Sequence, residues 1–80
     1  MLSITDEHGN LWEVAVGKAS FGNLVFLFSR ADSDIVLSHA VTASSRLDAE
    51  QALQDMDVRE LRLLLREASP WTGRAGEPGG

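Results

Sequence analysis

The sequence predicts an α+β domain: an antiparallel β-meander of 3–4 strands, followed by a C-terminal helical segment packed on one sheet face. Three observations predict it. Apolar residues alternate with period two through the first half of the chain. The linkers between those runs are too short for crossover helices, so the strands must pair antiparallel. From Ser44 onward the spacing of apolar residues becomes helical.

Leu2 and Ile4 point one way and Ser3 and Thr5 the other, which makes residues 2–5 the first strand. The turn Asp6-Glu7-His8-Gly9-Asn10 follows, with Gly9 supplying the positive φ that a hairpin needs. Residues 11–17 form the second strand, with Trp12, Val14 and Val16 on one face. Gly17 to Asn23 is a loop bracketed by glycines. Leu24-Val25-Phe26-Leu27-Phe28 is apolar at every position, the mark of a central strand covered on both sides. A polar turn at Arg30 to Asp34 leads to a fourth strand, residues 35–41, with Ile35, Leu37, His39 and Val41 on one face.

In the helical third, Ala49, Ala52, Leu53 and Met56 fall on one stripe and Val58, Leu61, Leu64, Leu65 and Ala68 on another. At about 100° per residue the two stripes are misaligned, so a single straight helix cannot bury both. A break near Asp57 removes the conflict. Asp57 with Glu60 has the spacing of a capping box, and Met56 with Leu61 that of a hydrophobic staple. The expectation is a first segment at 47–55 and a second at 58–68, with one continuous bent helix as the alternative. Ser69-Pro70 ends the helix, because proline disfavours helical geometry in the residue before it. Residues 1–69 then form one domain, and 70–80 a flexible Gly/Pro-rich tail in which Trp71 either folds back or stays free.

A chain of 80 residues buries only roughly 60–65% of its unfolded surface, so such domains lean on disulfides, metals or partner subunits. With no cysteine, disulfides and thiolate-bound metals are excluded, leaving packing or oligomerisation. Net charge is −5, which repels nucleic acid and anionic membranes. The opening residues lack a basic run followed by an apolar one, and Leu24 to Phe28 is too short to span a bilayer. A cytoplasmic location without membrane attachment is expected.

Catalytic motifs are absent. No G-x-S-x-G surrounds any serine, Gly17 and Gly22 do not make a phosphate loop, and Asp32-Ser33-Asp34 lacks the glycine and distal Glu of a calcium loop. His8 reads as a turn residue. His39 sits on an apolar strand face, where a hydrogen-bonded, half-buried imidazole is the plain reading and a general base or metal ligand the alternative. No metal or other cofactor is implied. Arg59, Arg62 and Arg66 form one stripe on the second helix, a solvated face or a docking strip for an acidic partner or phosphate. The apolar surplus of the third and fourth strands carries more weight. Helices cover one sheet face, and the other then presents apolar side chains unless the sheet curls on itself.

An Asp-x-x-Gly turn at Asp6 to Gly9, the Trp12-Glu13-Val14 strand, the Phe26–Phe28 strand and the Glu60-Leu61-Arg62-Leu63-Leu64-Leu65 helix together resemble short, uncharacterised bacterial β-meander-plus-helix proteins. The resemblance covers most of the chain and implies no activity. The expected function is a protein-interaction or adaptor module, homodimeric through its apolar sheet face, using Trp12, Phe26, Phe28 and Leu37 or the arginine stripe. The alternatives are a nucleic-acid-associated accessory protein using Arg59, Arg62 and Arg66, and an enzyme or ligand-binding domain around His39 and Trp12.

Overall fold

Strand alternation and helix periodicity meet in one core. The structure is a computed structural model that describes residues 2–19 and 23–71. Strands β1 (Leu2–Thr5), β2 (Leu11–Lys18), β3 (Leu24–Arg30) and β4 (Val36–Ala40) run as an antiparallel meander. Helices α1 (Arg46–Asp55) and α2 (Val58–Glu67) follow, and β5 (Ser69–Pro70) returns to the sheet beside β4. The sheet order is β1-β2-β3-β4-β5.

Register decides which side chains meet. Val14 stands opposite both Leu2 and Phe28, Trp12 opposite Ile4, and Val16 opposite Phe26. Paired residues share a face, so Ile4, Trp12, Val14, Val16, Phe26 and Phe28 make one apolar surface. Onto it α1 lowers Ala49 and Leu53, and α2 lowers Leu61 and Leu65. Phe28 and Val14 are fully buried at the centre. In the first turn, Gly9 takes φ of 84°, the left-handed geometry that glycine adopts without steric cost.

The helical third is two helices rather than one bent one. Asp57 stands between them with an extended backbone and caps α2. Its Oδ1 accepts from the Glu60 N–H at 2.9 Å, and Glu60 Oε1 accepts from the Asp57 N–H at 3.2 Å, a complete capping box. Met56 joins the core that holds Leu61. Removing the cap in Asp57→Ala should cost about 1 kcal/mol, read as a lowered urea midpoint at unchanged slope. At the head of α1, Ser45 Oγ accepts from the Asp48 N–H at 3.2 Å. Arg46 then reaches back to the Val16 carbonyl at 3.1 Å, an acceptor lying past the last β1–β2 pair, Leu2 with Val14.

Two expectations change. Ser69 and Pro70 do more than end a helix: they pair with Ser38 and Leu37, and the Trp71 N–H donates to the Val36 carbonyl at 2.9 Å. Proline is tolerated in this edge strand because its outer side needs no donor. The chain is therefore attached to the sheet through Trp71 instead of leaving it at residue 69, and the expected tail reduces to residues 72–80, outside the described ones. The third strand also runs on to Arg30, two residues beyond Phe28. Among the described residues no helix is long and apolar enough to cross a membrane.

Candidate functional site

The sheet has a helix-covered face and an open one, and strand parity assigns every residue between them. Trp12, Phe26 and Phe28 lie beneath the helices, at 6%, 1% and 0% exposure, and Leu37 is half-buried against the same core. These four sequence-derived interaction residues are thus core residues, not a contact surface. Their register partners carry the same parity across the sheet, and the largest apolar groups went to the side that gains most from burial.

The opposite face is built from the alternate positions. Ala15 pairs with Leu27, Leu27 with Ser38, Ser29 with Val36, and Val25 with both Gly17 and Ala40. Trp71 extends this side next to Val36. Among the strand residues of this face Glu13 is the sole charge. Solvent-facing sides of antiparallel sheets ordinarily carry charged and polar side chains; this one mixes Ser3, Thr5, Ser29 and Ser38 with apolar Ala15, Leu27 and Val36. Leu27 lies across Gly17, where an added Cβ would stand 2.5 Å from Leu27 Cδ1, so glycine lets the leucine lie down on the sheet.

Arg59, Arg62 and Arg66 stand on α2 beside the β1–β2 hairpin. Arg62 Nε donates to the Thr5 carbonyl at 2.7 Å, and Arg66 pairs with Glu7. Among the described residues Arg59 makes no hydrogen bond or ion pair. Leu63, 55% exposed, stands among them over a groove of about 350 Å³ lined by Glu7, Arg59, Arg62, Leu63 and Arg66.

His39 is half-buried between β4 and α2: Nδ1 is 2.8 Å from the Ala40 carbonyl and Nε2 is 3.3 Å from Glu67 Oε1. Both ring nitrogens are engaged within the fold, as in the plain reading of this residue. No group of three or more His, Asp or Glu side chains among the described residues could hold a metal ion.

A polar knot closes the far end of the sheet, and sequence reasoning missed it. Asp6 Oδ2 accepts from the Trp12 indole N–H at 2.9 Å and from the Asn10 amide at 3.2 Å. Oδ1 accepts from the His8 and Asn10 backbone N–H groups, and Arg30 donates to Asn10 Oδ1 at 2.9 Å. The Trp12 hydrogen bond, opposed by desolvation and joined by those from Asn10 and His8, holds the Asp6 carboxyl far below the usual carboxylate range. The available signal was an Asp at the head of a turn with a Trp opening the next strand. Asp32 Oδ1 lies 2.9 Å from Arg30 Nε, off the N–H direction, so that contact is ionic rather than a hydrogen bond.

No protein-family model, curated protein or solved structure matches the chain.

Proposed function

We propose that this chain is a protein-interaction module that associates through its open sheet face, in the first instance with a second copy of itself. The observation that supports the reading is the composition of that face: half-buried Ala15, Leu27, Val36 and Trp71 lie among serines, with Glu13 the one charge. With a single Glu13 on it, the face has little charge with which to select a foreign partner. Two identical sheet faces can stack about 10 Å apart with their side chains interdigitating. A two-fold contact of this kind is self-complementary and closes on itself. It would also supply burial that a chain of 80 residues lacks. A cytoplasmic setting belongs to the same reading, since a cysteine-free composition suits a reducing compartment.

Sedimentation across a concentration series tests it. The wild type should shift toward twice the mass of one chain, and Leu27→Lys or Val36→Lys should return it to one while circular dichroism stays native. A single-chain mass at the highest concentration, or a dimer indifferent to both substitutions, would overturn the reading.

A further inference from the structure

The outer face of α2 is a second surface, independent of the sheet face. Arg59, Arg62 and Arg66 fall on one stripe of the helix with Leu63 at its side, exposed by 55%. Three of the chain's seven Lys and Arg residues are gathered here in a molecule of net charge −5. A solvated helix face needs neither this concentration of one sign nor a bare leucine within it.

Two of the arginines are also aimed. Arg62 has its Nε committed to the Thr5 carbonyl, which fixes the plane of the guanidinium and leaves its terminal nitrogens directed elsewhere. Arg66 is held by Glu7 across the groove. Arg59, unengaged among the described residues, is a free donor at the open end. Guanidinium groups held in place lose less entropy on meeting a carboxylate and can bind it through two parallel hydrogen bonds.

We propose that this strip docks an acidic, amphipathic peptide segment of a partner protein, whose carboxylates meet Arg59 and Arg62 while an apolar side chain seats on Leu63. Charge complementarity selects the acid, and Leu63 selects a peptide over a polyphosphate chain, whose backbone has nothing apolar to offer a leucine. The contact is small, so the binding is weak and salt-dependent.

The probe is a synthetic peptide of repeated Glu-Glu-Leu, followed by NMR on the full-length chain. Its partners in the test are the same peptide with Lys for Glu, and a single-stranded oligothymidylate. The acidic peptide should shift the Leu63 methyl and Arg62 Hε resonances and leave those of Leu27 and Val36 in place. Arg59→Glu should weaken it about tenfold, the worth of one charge-assisted hydrogen bond, and raise affinity for the Lys peptide. Leu63→Ala should weaken the acidic peptide too. Both sites are exposed, so neither variant threatens the fold. Equal binding of both peptides, indifference to Arg59→Glu, or tighter binding of the oligothymidylate at these resonances would overturn the proposal. Because Leu27→Lys tests the sheet face separately, the two surfaces stand or fall apart.

Discussion

Phe28→Ala should remove a large share of the domain's stability at 25 °C, about 3–5 kcal/mol. Phe28 is fully buried at the centre of the sheet, paired with Val14 on one side and Leu37 on the other, with the helices above. Truncating a buried Phe to Ala costs about 3–5 kcal/mol, from lost transfer free energy and from the cavity left behind. A domain of 80 residues has a total stability of roughly 4–12 kcal/mol, so this single change removes a large share of it. Urea unfolding followed by tryptophan fluorescence provides the measurement, with Leu63→Ala as the exposed control, expected to move stability by no more than about 0.5 kcal/mol. Equal midpoints for the two variants would mean that the helices do not cover this face.

The same residue shows what could and could not be read from the sequence. The break between α1 and α2 was legible because its causes are local: Asp57, Glu60 and Met56 sit within one turn of each other, and two misaligned stripes demand it. The meander was legible from alternation and short turns. The covered side of β3 was harder to see. Leu24 to Phe28 is apolar on both parities, so alternation inside that strand carries no information, and the largest side chains look equally suited to a core or an interface. The answer lay in the neighbouring strand. In β2 the polar Glu13 and small Ala15 share a side, and the register carries that side to Ser29 and Leu27, leaving Phe26 and Phe28 with Val16 and Val14. Register is a long-range property, and it moved the candidate interface from Phe26, Phe28, Leu37 and Trp12 to Leu27 and Val36. β5 escaped for a related reason: two residues have no periodicity, and the ladder they join was formed some thirty residues earlier.

Acid should loosen the fold through Asp6, and the direction follows from where its proton affinity lies. In the folded chain the Trp12 indole hydrogen bond, with those from Asn10 and His8, favours the carboxylate and holds its pKa far below the ordinary value of 3.8. The unfolded chain has no such partners and takes up a proton first. Asp6 therefore stabilises the native state fully above the ordinary carboxylate range. That contribution is lost progressively as pH falls below 3.8 toward the folded-state value, and raising the pH from neutrality changes nothing at this site. The Trp12 indole N–H resonance reports it directly: in the native state it should hold its position while exposed carboxylates titrate around it. Asp6→Asn separates the two jobs of the residue. Its Oδ1 can still accept from the His8 and Asn10 backbone, keeping the turn, while an amide N–H₂ now faces the indole N–H as donor against donor. The variant should be less stable at neutral pH because Trp12, 6% exposed, loses its acceptor, and its stability should fall less steeply below pH 3.8 than that of wild type. Parallel acid limbs in the two proteins would show that the knot at Asp6 is not what ties the first hairpin to the core.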